Sequence, residues 1–394
     1  MSLLLDALGW LVVFASAVAA LAFVLETSAG LLPAKPKPGR GAAYGSAVIL
    51  IPAHDEALGI AQMLAALRQQ LPENARILVV ADNCTDATAQ IARYAGAEVA
   101  ERHDPARRGK GYALEFGRSR LQASAPDVVI VLDADCTIDR ASIERLAGEA
   151  VRRQSPVQAT YLLKASLSAP PMVQISNFAF MVKNDIRQRG GARLGAPAML
   201  TGTGMAFPWA VFNGMSLSGG SVEDLDLTVE LVRRGIQPVF VPDATVLSEP
   251  AGLAASVMQR DRWERGFVSA ARRASLPLFG LFARTGRVPP LWLALHLLTP
   301  PLALLVLLAS LAAVLLGALH ILAGMSAGPL AVQLGLLFLI AALVGAAWAT
   351  KGRPYVSLAT VLKIPLYVLW KLPIYARMLL GAEQKWNRTD RSGH

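Results

Sequence analysis

The sequence predicts an α/β domain on a mostly parallel sheet, joined to transmembrane and interfacial helices. Three observations carry that expectation. From Ser46 onward, apolar strand-like runs alternate with amphipathic stretches. One such run, Val128–Cys136 (VVIVLDADC), leads four β-branched residues and a leucine directly into Asp133 and Asp135. Residues 288–350 contain no Asp, Glu, Lys or Arg. Short runs that are apolar throughout suit strands buried on both faces, as in parallel sheets covered by crossover helices.

The totals agree with this organisation. Hydrophobic residues make up 54% of the 394 and charged residues only 17%, too apolar for an ordinary soluble enzyme. A net charge of +10 suits an anionic membrane leaflet or a phosphate-bearing substrate. No nucleic-acid motif accompanies that charge, so nucleic acid is not an expected partner. The two cysteines, Cys84 and Cys136, lack the spacing of a zinc site or a disulfide framework and are expected to be reduced thiols.

In chain order, Leu3–Leu25 is apolar apart from Asp6 and lacks a small-residue cleavage site. It reads as an uncleaved transmembrane helix within residues 1–27. A stiff basic linker, 28–45, follows, and Lys35, Lys37 and Arg40 mark its side as cytoplasmic. Residues 46–250 form the α/β domain. Strands at Ala47–Ile51, Arg76–Val80, Glu98–Glu101 and Val128–Leu132 alternate with helices at Leu58–Gln70, Ala87–Tyr94 and Lys110–Gln122. Residues 155–250 are less regular, with a strand at Pro238–Val241. Residues 251–287 read as amphipathic interfacial helix, rich in arginine. The charge-free stretch divides near Ala323–Pro329 into two spans, about 291–317 and 330–349. Tyr355–Ala376 holds Lys363, Pro365, Lys371 and Pro373, which favours an interfacial or re-entrant helix over a fourth span within 351–394. A fourth span would also export the basic tail Lys385–Arg391.

Several residue patterns carry chemistry. Asp133 and Asp135 alternate just past a strand end, where open α/β sheets bind ligands. Their hard oxygens suit Mg²⁺ or Mn²⁺, which usually brings substrate phosphates. The plainer alternative is that one of them caps the helix near Ile138–Arg153. Lys110 lies in Arg108-Gly-Lys-Gly111 at a helix start, a natural phosphate contact though not a P-loop. Thr201-Gly-Thr203-Gly204 is a glycine-rich loop, by itself readable as a tight turn. Glu223-Asp224 opens the amphipathic run Leu225–Arg233 and offers a carboxylate base or simply a helix N-terminal acid. Gln259 and Arg262 lie one helical turn apart, and an arginine can grip diphosphate bidentately. Trp263 presents a flat apolar face to a sugar ring, or to a membrane.

Taken together and in this order, the motifs resemble those of the membrane-bound family 2 glycosyltransferases, the group holding cellulose, chitin and hyaluronan synthases, over roughly residues 46–270. The resemblance implies a GT-A fold, Rossmann-like with a mostly parallel sheet. It implies that Asp82 binds the nucleotide base, although Ala81-Asp82-Asn83 stands where many members carry two successive aspartates. It further implies that Lys110 faces the nucleotide, that Asp135 is the direct metal ligand, and that Asp133 lies nearer the ribose or metal shell. Thr203 and Gly204 approach a sugar, Asp224 of the Glu223-Asp224 pair acts as base, and Gln259, Arg262 and Trp263 serve the acceptor end beside the diphosphate. The implied activity is inverting transfer from a nucleotide-sugar donor, a UDP-sugar first, to a β-linked polysaccharide or oligosaccharide at the inner membrane. Transfer of one sugar to a lipid-linked acceptor is the alternative within the enzyme class; a non-catalytic membrane scaffold is the alternative outside it. So few spans make a thin wall for an export channel, so a homo-oligomer or a separate export partner is also expected, besides membrane lipids.

Overall fold

The computed structural model describes residues 2–33, 43–217, 223–249, 253–372 and 375. The chain forms two compact units. One holds Ala34–Lys164 and Ala196–Glu249; the other holds Met1–Pro33, Ala165–Gly195 and Pro250–His394.

The first unit is built on an eight-stranded sheet. Its strands are β1 (Ala47–Ala53), β2 (Ala75–Asp82), β3 (Glu98–Arg102), β4 (Val128–Val131), β5 (Cys136–Ile138), β6 (Val157–Leu163), β7 (Met205–Pro208) and β8 (Val239–Ser248). The spatial order is β3-β2-β1-β4-β7-β6-β8-β5. The strand–helix alternation of residues 46–131 becomes four parallel strands, with helices Ile60–Gln70, Thr88–Tyr94 and Lys110–Leu121 as crossovers. Val128, Val129, Ile130 and Val131 are all fully buried, as their unbroken apolar run requires. Val48, Leu50, Val80, Val129 and Val131 share one core with Phe207 and Leu231.

The segment with weak sequence signals supplies the rest of the sheet. β6 and β8 pair in parallel, while β7 runs antiparallel to both β4 and β6. Met205 opposes Val131 in that register. The loop entering β7 therefore lies where β4 ends, which brings Thr201–Gly204 beside Asp133. Long connections, 164–204 between β6 and β7 and 209–238 between β7 and β8, separate these strands, so the regular strand–helix repeat of the first four is missing here. The strand expected at Pro238–Val241 extends to Ser248 because its second half also pairs with β5.

In the second unit, three helices among the described residues are long and apolar enough to cross a membrane: Leu3–Leu31, Leu302–Ala323 and Ala327–Gly352. The span expected at 291–317 is instead two helices, Val288–Leu298 and Leu302–Ala323. Pro300 and Pro301 separate them, since neither can donate to the preceding turn. Asp6, the exception in the first apolar run, accepts from Ser326 N at 2.8 Å at the start of the third span. Among the described residues of 355–376, the helices Leu358–Val361 and Ile364–Trp370 are each shorter than a membrane span. Lys35, Lys37, Arg40 and the tail Lys385–Arg391 lie outside the described residues.

A helix not foreseen from the sequence, Pro171–Met181, runs through a π turn at Val182–Arg187 into Gln188–Arg193. From the π turn, Arg187 Nε donates to Glu26 Oε2 at 2.7 Å, and Lys351 Nζ donates to Asp185 Oδ2 at 2.6 Å. His296 donates Nδ1–H to the other oxygen of Glu26 at 2.9 Å. Its closing turn approaches the first span so closely that a Cβ on Gly190 would lie 1.7 Å from Glu26 O.

Candidate active site

The site starts where β4 runs out of apolar residues. Leu132 is fully buried, and the chain then turns, with Cys136 N donating to Asp133 O at 3.1 Å. That turn exposes Asp133 and Asp135 at the carboxyl end of the parallel strands. Asp133 is fixed from below, because its backbone N–H donates to Thr203 Oγ1 at 3.1 Å. Neither aspartate caps the next helix. That role belongs to Asp139, which accepts from Ser142 N at 2.7 Å at the start of Arg140–Arg153.

Lys110 is the first residue of its crossover helix, after Gly109 at φ 137°. Its ammonium forms an ion pair with Asp133 Oδ1 and donates to Gly202 O at 2.7 Å. Gly202, at φ 82°, leaves space between two functional groups. A methyl built on it would lie 3.4 Å from Lys110 Nζ and 3.8 Å from Asp224 Oδ2. Asp133, Lys110 and Asp224, more than ninety residues apart at their extremes, thus converge around one backbone glycine. Asp224 opens the helix Glu223–Arg233, and its Oδ1 also accepts from Leu225 N at 2.9 Å. Burial alone would lower the Lys110 ammonium, but the charge and hydrogen bond of Asp133, and then Asp224, raise it above the ordinary lysine range.

Ligand atoms of Asp133, Asp135 and Cys136 lie within 4.8 Å of one another. Burial, then the charges of Asp135 and Asp133, push the Cys136 thiol well up. The neutral thiol donates weakly to Asp135 Oδ1 at 3.4 Å, so the donor set offered to a cation is carboxylate oxygen. That set fits Mg²⁺ or Mn²⁺. A second group at the same sheet edge joins His54, Asp55 and Cys84. Asp55 there accepts from Thr85 N at 2.6 Å, which ties the loop after β1 to the loop after β2.

Other expected site residues are taken up within the fold. Asp82, at the end of β2, is buried and accepts from Arg102 Nη1 at 2.6 Å and Asn83 Nδ2 at 3.1 Å, both through Oδ1. Thr203 is fully buried under Asp133. Gly204, at φ 65°, donates to Val131 O at 2.9 Å and accepts from Ala159 N at 2.8 Å, stitching β4 to β6.

Gln259, Arg262 and Trp263 belong to the helical unit, on Leu253–Thr285. Trp263 is half-buried and stacks on Phe180, with ring centroids 5.6 Å apart and planes 28° apart. One residue before Asp261, Arg260 donates to Ser176 O at 2.8 Å and Asn177 Oδ1 at 2.7 Å. The motif helix therefore rests on the unforeseen helix Pro171–Met181. Glu264, directly after the tryptophan, pairs with buried Lys371.

Residues 46–266 match the family described as glycosyltransferase like family 2. The chain belongs to that family. Protein RfbJ of Shigella flexneri is 31% identical over 106 residues, spanning 27% of this chain and 77% of that protein. The solved mannosyltransferase PcManGT from Pyrobaculum calidifontis, in complex with GDP-Man and Mn²⁺, is 17% identical and aligns over 95% of each chain with a TM-score of 0.54. Glucosyl-3-phosphoglycerate synthase from Mycobacterium tuberculosis, solved with Mn²⁺, UDP and phosphoglyceric acid, is 18% identical, with a TM-score of 0.39 over 56% of this chain and 78% of that one. The likeness to the mannosyltransferase identifies the fold as GT-A, and family membership makes the protein a glycosyltransferase that uses a nucleotide sugar.

Sequence reasoning named Thr203 for a sugar contact without its support of Asp133, and it did not name Arg102, Glu26 or His296. Thr203 supports the Asp133 backbone, and Arg102 engages Asp82. Neither has a local signature, because each partner lies at least twenty residues away. Glu26 and His296 had one: an ionisable group in an otherwise apolar helix asks for a partner.

Proposed function

We propose that this glycosyltransferase passes a sugar from a UDP-linked donor directly to an acceptor hydroxyl, with inversion at the anomeric carbon. The product is a growing β-linked polysaccharide or oligosaccharide at the cytoplasmic face of the inner membrane. The observation that carries the reading is the convergence of Asp133, Lys110 and Asp224 around Gly202.

Asp224 takes the proton of the attacking hydroxyl, with Glu223 beside it in the motif. An ordinary ionised carboxylate suffices, because the hydroxyl loses its proton as the new bond forms. Asp135 would be the direct ligand of Mg²⁺ or Mn²⁺, and Asp133 would lie between metal shell and ribose. When bound, the cation supplies Lewis-acid neutralisation of the departing diphosphate. Lys110 adds a positive charge to the same diphosphate from a helix N-terminus. Asp82 contacts the base through the oxygen that Arg102 does not use. Thr203 and Gly204 hold the loop under Asp133, and that loop approaches the acceptor sugar. Gln259 and Arg262 bind diphosphate, and Trp263 meets the acceptor; their motif supports this assignment.

Transfer of a single sugar to a lipid-linked acceptor is the second reading. Three candidate spans among the described residues favour it, being few for a wall around an emerging polymer. If instead the product is a polymer, a homo-oligomer or separate exporter completes the path. A scaffold without catalysis would have no need to keep Asp135 and Asp224. Purified protein incubated with radiolabelled UDP- and GDP-sugars, with product sizing, decides among these. A long product supports the first reading and a lipid-soluble monoglycoside the second. No nucleoside diphosphate release from any donor would discard both.

A further inference from the structure

We infer that Lys110 is an internal competitor of the divalent cation, so that donor diphosphate must draw Lys110 off Asp133 before the metal binds at full strength. The inference rests on the reading above that Asp135 would ligate the metal with Asp133 at its shell. Lys110 Nζ contacts Asp133 Oδ1 and donates to Gly202 O at 2.7 Å, close to Asp224. An ammonium on that oxygen and a dication beside it repel at short range, and the half-sheltered position weakens solvent screening. The Lys110 side chain is 27% exposed, so it has an outward path. Its flexible four-carbon stem lets the charge swing without moving the helix. A diphosphate offers that charge more negative partners than one carboxylate does. Lys110 would then turn from Asp133 to the diphosphate, and the freed Asp133 carboxylate would be available to a cation at Asp135. Metal and nucleotide binding are therefore coupled through a residue of this chain, over and above the bridging that any metal–diphosphate complex provides.

The test is Mn²⁺ binding to the detergent-solubilised full chain without sugar donor, followed by the electron paramagnetic resonance of free Mn²⁺. Lys110→Met should bind Mn²⁺ about ten-fold tighter than wild type, within the usual range of coupling between sites. Lys110→Arg, which keeps the charge, should stay as weak as wild type. UDP, corrected for its own Mn²⁺ complex, should tighten wild type clearly more than Lys110→Met. Equal Mn²⁺ affinities in wild type and Lys110→Met, with equal responses to UDP, would overturn the competition. Adding Asp135→Asn separates the two levels. If that change abolishes binding while Lys110→Met brings no tightening, only the lysine inference falls. If it leaves Mn²⁺ affinity unchanged in the Lys110→Met background, the metal assignment falls with it.

Discussion

Arg187 and Glu26 form a buried ion pair in the helical unit, with side chains 6% and 1% exposed and Nε 2.7 Å from Oε2. Truncating Glu26 leaves the Arg187 guanidinium in a poorly solvated place with the His296 and Phe23 rings beside it in place of a carboxylate. Glu26→Ala should therefore destabilise this unit by about 3–5 kcal/mol. Arg187→Met added to it should recover part of that loss. Thermal unfolding of the single and double variants in one detergent checks both statements, and purely additive losses would contradict the pairing.

Gly204 is a position that only glycine fits, for two separable reasons. Its φ is 65°, and an added Cβ would meet Val246 Cγ2 at 2.8 Å and Ala159 Cβ at 3.1 Å. Gly204→Ala should cost about 1–3 kcal/mol from strain and overpacking together. Gly286 has nearly the same φ, 66°, with nothing within 4 Å of its added Cβ. Gly286→Ala should cost only the backbone part, about 1 kcal/mol. Denaturant midpoints of the two variants measure the difference.

Asp224→Asn removes the proton acceptor and keeps the shape. Turnover should drop by about 10²–10⁴-fold. The donor's binding constant, read by calorimetry with UDP and Mn²⁺, should change little. Unaltered turnover would remove Asp224 from the base role.

Much of this was legible in the sequence, and the reasons are specific. Val128–Val131 is buried on both faces, and its apolar run therefore announced itself without ambiguity. Asp133, Asp135 and Lys110 sit at strand ends and helix starts, where short motifs and local geometry coincide. The half of the sheet built by β6, β7 and β8 was hidden because long connections separate its strands and β7 inserts antiparallel between β4 and β6, which breaks the regular strand–helix repeat. The buried state of Thr203 and the Arg102–Asp82 pair depended on registers between strands, which no single stretch encodes. Likewise the break between Leu298 and Leu302 shows Pro300-Pro301 overriding a continuous hydropathy signal.

The raised Lys110 pKa has a definite sign for stability. A lysine whose folded value exceeds its unfolded value contributes stability in full below the unfolded value, about 10.4. The contribution then disappears as pH climbs through the raised folded value. Wild type and Lys110→Met should differ by a constant amount from pH 7 to 9 and converge at strongly alkaline pH. Urea unfolding across that range tests it. Because the side chain is partly exposed, solvent screening keeps the constant gap small.

The π turn at Val182–Arg187 gives its helix a rotational phase that the flanking α-helical halves cannot set for themselves. Ahead of it, Phe180 faces Trp263; behind it, Arg193 reaches the carbonyl of Leu32 at 2.9 Å. Each residue added to or removed from a helix rotates everything downstream by about 100°. Losing a single amino acid between Met181 and Gln188 would thus turn Arg193 away from the first span while leaving Phe180 where it is. A one-residue indel in this stretch would therefore uncouple the Phe180–Trp263 stack from the contact of Arg193 with Leu32 at the end of the first apolar helix.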